Sequence, residues 1–229
     1  MRSVVLAAAI WALAACGSSD QTSNMTVAGT ELPEQPTTPP KGRLAPRNEC
    51  IELPGAKEFF VSLEKAIKDR NADALLGITA PGVRLDFGAG GGLTAFRERL
   101  EASDSQLWAE LDRIVALGCA VDDGGNMVLP WYFAQDLKVD DPFAAMIVTG
   151  SDVPVLSEPN AIASPIERIS WDTVTAVDGP PKNGFAQVRT TSGGEGFVAA
   201  DKLRSLVDYR LYVSGQNGNW HITSFVSGD

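Results

Sequence analysis

The first sixteen residues indicate where the rest of the chain folds. A single basic residue, Arg2, precedes an unbroken apolar run from Val4 to Ala15. The run is too short to span a bilayer core about 30 Å thick, because a spanning helix needs roughly 20 apolar residues. This pattern is typical of a secretory signal peptide, here residues 1–15, that is removed on export. We therefore expect the remainder to fold outside the cytoplasm.

The apolar run ends in Leu13-Ala14-Ala15, which Cys16 follows directly. This tetrapeptide resembles the lipobox of bacterial lipoproteins, a family in which the Cys becomes the diacylated first residue after cleavage. The resemblance implies lipidation at Cys16 and a membrane anchor of two or three acyl chains. Each buried methylene contributes about 0.8 kcal/mol, so several chains anchor stably where one does not. The alternative is an ordinary secretory signal that happens to end before a Cys.

The residue after Cys16 bears on which membrane would receive the anchor. Gly17 stands where enteric lipoproteins retained in the inner membrane carry Asp. The resemblance therefore implies a cell-envelope protein that faces the periplasm, and it favours the outer membrane over the inner. The inner membrane remains an alternative location, because this sorting rule differs among bacteria.

Acidic residues outnumber basic ones by 29 to 19, for a formal net charge of −10. An acidic surface repels nucleic acid and anionic lipid headgroups. We therefore expect no nucleic-acid partner, and we expect the membrane to be contacted through the lipid anchor. The oligomeric state is not indicated by any pattern.

Two further cysteines, Cys50 and Cys119, remain after Cys16 is assigned. In an oxidising compartment two thiols of one folded region most simply form a disulfide. Closing this loop constrains the unfolded chain by about 4 kcal/mol on the entropy model. The alternative is a metal-binding or nucleophilic thiol, for which the sequence offers few partners.

Composition divides the exported chain into two unlike parts. Residues 16–49 are rich in Ser, Thr, Pro and Gly, so they cannot bury enough apolar surface to offset the entropy of ordering. They are predicted to form a flexible linker behind the lipid anchor. Residues 50–149 are predicted to form an α+β domain. Its clearest element is an amphipathic helix between Pro54-Gly55 and Asn71, with a later helical stretch that breaks near Ser103.

Residues 150–204 contain short β-rich runs, broken by turn residues at the spacing of a small barrel. Residues 205–229 are predicted to form a β-hairpin around the Asn217-Gly218 turn. The fold class is therefore α+β, with a helix-plus-sheet domain, a small β-barrel and a closing hairpin. Connection lengths also suggest that the hairpin pairs with the first domain. The barrel would then be an insertion in a sheet of the cystatin-like kind.

The segment from Ser151 to Leu203 resembles a bacterial SH3-like domain. The matching pieces are Val155 with Pro159, the strand around Ile166 and Ile169, Phe185 to Val188, and Gly196-Phe197-Val198 followed by Leu203. Leu156 stands where members often carry Arg, and Trp171-Asp172 where they often carry Gly. Envelope members often bind peptidoglycan or protein segments. The chain also resembles a group of lipoproteins from sphingomonad-type and related bacteria, to which no activity is assigned.

Aromatic side chains are the candidate ligand contacts. Trp171, Phe185 and Phe197 in the SH3-like segment are candidates for a ligand groove, together with the run Trp131-Tyr132-Phe133. The alternative is that these rings form the core, which is the usual place of aromatics in small β domains.

No catalytic pattern emerges from the titratable residues. Gly88-Ala89-Gly90-Gly91-Gly92 lacks both the dinucleotide and the phosphate-loop signature, so we expect a turn and no cofactor. The lone His221 has no Cys in a nucleophile motif to act with. Asp122-Asp123 and Asp140-Asp141 are typical of turns, and Asp122, Asp123 and Asn126 are a weaker candidate for Ca²⁺. We expect no metal site, because no Cys/His zinc spacing occurs.

These features predict a non-catalytic binding or assembly module that contacts peptidoglycan or an envelope protein through its SH3-like segment. Two alternatives stay open. One is a small-molecule site or weak enzyme in the α+β domain, which needs a concave pocket with convergent polar groups such as Arg84, Asp86 or Asp136. The other is a purely structural lipoprotein.

Overall fold

Two β-sheets organise residues 42–88, 90–177 and 179–228, which are the residues that the computed structural model describes. The mixed α+β class predicted from the sequence is confirmed. The predicted signal peptide and Cys16 lie outside the described residues.

The first sheet has six strands in the order β1-β3-β4-β12-β13-β2. Their bounds are β1 Arg47–Asn48, β2 Thr79–Arg84, β3 Gly118–Val121, β4 Met127–Leu129, β12 Arg210–Gln216 and β13 Asn219–Val226. The outer pairs, β1 with β3 and β2 with β13, are parallel, and the central pairs are antiparallel. The C-terminal hairpin thus lies at the centre of the sheet.

Four helices bury their apolar residues against one face of this sheet. They are α1 Ala56–Lys68, α2 Ala72–Gly77, α3 Gly92–Glu101 and α4 Leu107–Ala116. In α1 the buried side chains recur at helical spacing, as the sequence predicted. Asn71 caps α2 by accepting a hydrogen bond from the Ala74 amide at 3.0 Å. The predicted break near Ser103 separates α3 from α4.

The second sheet has seven antiparallel strands in the order β11-β5-β8-β9-β10-β6-β7. Their bounds are β5 Ala145–Val148, β6 Val153–Leu156, β7 Pro165–Ile169, β8 Thr173–Ala176, β9 Phe185–Thr190, β10 Glu195–Ala199 and β11 Leu203–Ser205. Seven buried aliphatic residues, mostly valines, form its core.

Three details differ from the sequence prediction. The second sheet is open, because no pairing between β7 and β11 closes it into a barrel among the described residues. Strand β5 pairs with β8 and β11, although it precedes the predicted boundary at 150. Residues 42–49, assigned to the linker, belong to the fold. Leu44 is only 1% exposed, and a single buried Leu leaves no periodic signal in a Pro-rich stretch.

The predicted pairing of the C-terminal hairpin with the first domain is confirmed. Strand β12 pairs with β4, and β13 pairs with β2. In the sequence, all seven strands of the second sheet come after β4 and before β12. These two strands are neighbours in the first sheet. The second sheet is an insertion in the first domain.

Cys50 follows β1 and Cys119 lies in β3, and the structure joins them in a disulfide with a Cα–Cα distance of 5.7 Å. This is the pair that the sequence predicted. Both residues are completely buried within the core under the helices. The disulfide therefore ties the N-terminal strand to the sheet.

Candidate functional site

The face of the first sheet turned away from the four helices presents a row of mixed side chains. Leu211 and Val213 of β12 pack under the helices, so the alternate residue Tyr212 points to the other face. In register, Tyr212 lies beside Ser224 of β13, and Ser224 lies beside Arg84 of β2. Two distant parts of the sequence, the C-terminal hairpin and β2, thus meet on this open face.

Two adjoining cavities form a groove along the open face, which we call the open-face groove. The larger cavity measures about 380 Å³ and is lined by Phe133, Asp136 and Lys138, among others. The smaller measures about 280 Å³ and is lined by Arg84, Phe87 and Ser224, among others. Arg210 and Tyr212 line both cavities. The two cavities therefore adjoin at Arg210 and Tyr212 of β12.

Arginine side chains and phenyl rings are interleaved in the groove. The Arg210 guanidinium carbon lies 5.3 Å from the ring centroid of Phe87 and 5.2 Å from that of Phe133. The Arg84 guanidinium carbon lies 5.9 Å from the same Phe87 ring. These are cation–π distances. Phe87 is 46% exposed, so its ring is available to a ligand.

The smaller cavity is lined by hydroxyl and amide groups that are connected by hydrogen bonds. The Ser214 hydroxyl donates to Asn126 Oδ1 at 2.7 Å and lies 3.2 Å from the Thr223 hydroxyl. Asn126 in turn donates from Nδ2 to both carboxylate oxygens of Asp122, at 3.1 Å each. The Asp122 carboxylate also accepts the backbone amides of Gly124 and Asn126. Asp122 and Asn126, the weaker Ca²⁺ candidates, therefore order a turn that orients the groove hydroxyls.

The carboxylate in the larger cavity is neutralised within the cavity. Lys138 donates a hydrogen bond to Asp136, and this bond is the main reason that the pKa of Asp136 lies below its ordinary value. Asp136 is therefore ionised at neutral pH. Arg84 has no ion-pair partner among the described residues, and it supplies an exposed guanidinium at the other end of the groove.

Asp86 serves the Gly-rich turn and not the groove. Its Oδ1 accepts the amides of Gly88 and Gly90 at 2.9 and 3.1 Å, and its Oδ2 accepts Arg99 at 2.7 Å. The Arg99 hydrogen bond is the main cause that lowers the pKa of Asp86. A Cβ on Gly90 would lie 2.1 Å from Asp86 Oδ2, so a larger residue there would displace the Asp86 carboxylate. Both the Gly88 and the Gly90 amide therefore donate to Asp86, which is typical of a turn.

The three residues predicted to line a ligand groove do not share one cavity. Phe185 and Phe197 lie on the outward face of β9 and β10, opposite the buried Val188 and Val198. Trp171 follows β7 and lies apart in a junction cavity of about 490 Å³, whose lining includes neither Phe185 nor Phe197. The Trp171 carbonyl accepts the Leu44 amide at 2.7 Å, which joins this loop to the N-terminal segment.

The run Trp131-Tyr132-Phe133 divides between core and groove. Trp131 is 2% exposed, donates from Nε1 to the Ala45 carbonyl at 3.1 Å, and lies 3.5 Å under the Arg47 guanidinium. Both Tyr132 and Phe133 line the larger cavity, but Tyr132 is buried, whereas Phe133 is half-buried. Of the three rings, Phe133 is therefore the ligand candidate.

A buried polar network lies beside the junction cavity. Arg204 of β11 donates to Tyr132 Oη at 3.1 Å, to Glu110 Oε2 at 3.3 Å and to the Tyr209 carbonyl at 2.8 Å. It also pairs with Asp208 at 3.1 Å. Burial raises the pKa of Tyr132 to about 12. Because the donors of Arg204 are used within the protein, this network is structural.

The groups expected to carry reactive chemistry do not gather in one place. No cluster of three or more His, Cys, Asp or Glu residues that would hold a metal ion occurs among the described residues. His221 pairs in register with Ser214 and is half-buried on the open face. Sequence reasoning named Arg84 and Asp136 but missed Arg210 and Tyr212, because their meeting depends on strand pairing.

No family model matches the chain, and neither a search of curated proteins nor a search of solved structures finds a match. Within the described ranges, no helix is long and apolar enough to cross a membrane.

Proposed function

We propose that this chain is a non-catalytic binding module of the bacterial cell envelope, anchored through lipid at Cys16, that takes its ligand in the open-face groove. The observation that carries this proposal is the exposed Phe87 ring, with Arg84 and Arg210 against it, on a sheet face away from the helices. Hydroxyls, an amide and guanidinium groups hold ligands by hydrogen bonds, and aromatic rings add contact area.

The proposed partners are peptidoglycan or an envelope protein. The resemblance of Ser151 to Leu203 to SH3-like domains supports this class of partner, and the proposal retains the SH3-like and cystatin-like classifications of the two sheets. The alternative small-molecule site requires polar groups such as Arg84, Asp86 or Asp136 to converge on one pocket. It has less support, because Arg84 and Asp136 line different cavities and Asp86 holds the Gly-rich turn. A purely structural role would not require an exposed groove with aromatic rings, so this alternative also has less support.

Co-sedimentation tests this proposal and locates the binding surface. Full-length protein in detergent is mixed with purified sacculi or with envelope extract, and lipid-only micelles serve as the blank. Two variants remove exposed or half-exposed rings, Phe87→Ala in the groove and Phe197→Ala on the second sheet. We expect Phe87→Ala to reduce binding about tenfold and Phe197→Ala to leave it unchanged. Loss in Phe197→Ala alone would contradict the groove, and no partner above the blank would reject the function.

A further inference from the structure

The Arg84 side chain differs from most other arginines in the described part of this acidic chain. Most of these arginines form ion pairs with carboxylates, for example Arg97, Arg99 and Arg189, whose pairs are exposed. Arg84 is exposed on β2 and contacts the Phe87 ring, but it has no carboxylate partner among the described residues. Acidic residues outnumber basic ones by 29 to 19. A guanidinium without a partner in such a chain is therefore placed to receive an anion from outside.

The surroundings of Arg84 restrict what that anion is attached to. Ser214, Thr223 and Ser224 place hydroxyls, and Asn126 places an amide, in the lining of the same 280 Å³ cavity. Ser214, Thr223 and Asn126 already hydrogen-bond within the protein, so a ligand uses their remaining acceptor positions. The exposed Phe87 ring lies at the edge of this cavity, with the Arg84 and Arg210 guanidinium groups beside it. A pyranose ring has an apolar C–H face and a rim of hydroxyl and N-acetyl groups, so it can stack on the ring while its rim exchanges hydrogen bonds. The cavity lining thus combines a ring and hydroxyls that can bind a saccharide with one guanidinium, Arg84, that can bind an anion.

The overall charge selects among anionic ligands. A net charge of −10 repels densely charged polymers such as phosphate chains. Isolated carboxylates on an otherwise neutral glycan feel little of that field, because physiological salt screens it within about 8 Å. The planar guanidinium matches a carboxylate with two parallel hydrogen bonds.

We infer that the open-face groove binds a carboxylate-bearing glycan, and that Arg84 is the residue that selects the carboxylate. This inference rests on the proposed function and narrows its partners to peptidoglycan, whose glycan strands carry stem peptides with free carboxylates. The sugar contacts Phe87 and the hydroxyls of the smaller cavity, and the carboxylate pairs with Arg84. The larger cavity, on the other side of Tyr212, accommodates the continuation of the strand.

Calorimetric titration of full-length protein in detergent micelles tests this inference with four soluble probes. These are disaccharide–peptide fragments of peptidoglycan, the same fragments with their carboxylates converted to amides, a neutral N-acetylglucosamine oligomer, and the free stem peptide. We expect the acidic fragment to bind about tenfold or more tightly than its amide and the free peptide to bind weakly. Arg84→Gln should abolish the difference between acid and amide, and Arg84→Lys should retain part of it.

Arg168→Gln is the matched control, since Arg168 is an exposed arginine on the second sheet, paired with Asp152. It should leave the preference for the acid unchanged. Equal binding of acid and amide, or free peptide binding as tightly as the fragment, overturns the inference while the binding function stands. If no fragment binds although sacculi sediment with the protein, the inference also fails. If neither fragments, sacculi nor envelope proteins bind, the proposed function fails as well.

Discussion

At the scale of single residues, two indoles in one cluster have opposite hydrogen-bonding states. Trp131 and Trp171 both pack in the apolar cluster between the sheets. Trp131 donates from Nε1 to the Ala45 carbonyl at 3.1 Å. The Nε1 of Trp171 is buried without a hydrogen-bond partner among the described residues. A buried donor without a partner costs about 1–3 kcal/mol, so Trp171 is a site of locally reduced stability.

Replacing each indole by a phenyl ring measures this difference. Trp171→Phe removes the unpartnered donor, which offsets the lost ring contacts, so we expect a free energy of unfolding within about 1 kcal/mol of the parent. Trp131→Phe loses a satisfied bond and leaves the Ala45 carbonyl unpaired, so we expect a loss about 1–3 kcal/mol larger. Urea denaturation followed by circular dichroism measures both. Equal losses in the two variants would show that the hydrogen bond is not what distinguishes them.

Tyr132 predicts a pH dependence at the alkaline end. Burial raises its pKa from 10.0 to about 12 in the folded protein. The folded state therefore keeps the phenol proton over a range in which the unfolded chain loses it. This contribution to stability is complete below pH 10 and is lost as the pH rises to 12, by about 3 kcal/mol in total. We expect denaturation midpoints from pH 9 to 12 to fall more steeply for the parent than for Tyr132→Phe. Parallel curves would contradict the raised pKa.

At the scale of elements, the C-terminal hairpin meets the start of α1 through two glycines. Asn217 and Gly218 form the hairpin turn with φ values of 53° and 84°. Gly55, at the N-terminus of α1, has a φ of 73°, and a Cβ there would lie 2.2 Å from the Gly218 carbonyl oxygen. The Trp220 indole donates to the Pro54 carbonyl at 2.8 Å beside this contact. The close approach of two backbones is what requires glycine at position 55.

Two Gly→Ala variants separate backbone strain from this contact. Gly125 has a φ of 79°, and nothing lies within 4 Å of the position that a Cβ would take there, so Gly125→Ala carries only the left-handed penalty of about 1–2 kcal/mol. Gly55→Ala carries the same penalty and must also push the hairpin away from α1. We expect it to lower the free energy of unfolding by at least about 2 kcal/mol more than Gly125→Ala does. Similar losses would mean that the hairpin tip moves at little cost.

Elements with a strong local signal could be predicted from the sequence, and long-range placement could not. The apolar period of α1 and the Asn217-Gly218 turn are local, and both occur as predicted. Strand β1 has only two residues, so it leaves no periodic signal. The groove also escapes local reasoning, because Arg84 and Tyr212 meet only through the register of β2, β13 and β12. Charge and aromaticity identified some groove residues, but strand pairing decides which of them are neighbours.

At the scale of the whole molecule, one buried arginine links the inserted sheet to the domain around it. Arg204 lies in β11 of the second sheet, whereas its partner Glu110 lies in α4 of the first domain. Tyr132 and Asp208, which also contact Arg204, lie in the chain segments that leave and re-enter the first domain. The Arg204 and Glu110 side chains are 5% and 11% exposed. Because both side chains are nearly buried, removal of one partner leaves the charge of the other uncompensated by solvent.

Replacing Arg204 therefore tests how firmly the two sheets are joined. Arg204→Met should lower the free energy of unfolding by about 3 kcal/mol, at the low end for a broken buried pair, because Arg113 also pairs with Glu110. Arg189→Met is the control, since the ion pair of Arg189 with Glu195 lies on the surface and should contribute at most about 1 kcal/mol. The double variant Arg204→Met/Glu110→Met should recover part of the loss, because no carboxylate is then left buried at position 110. Urea denaturation compares the three, and a loss in Arg204→Met no larger than in Arg189→Met would mean that apolar packing alone joins the sheets.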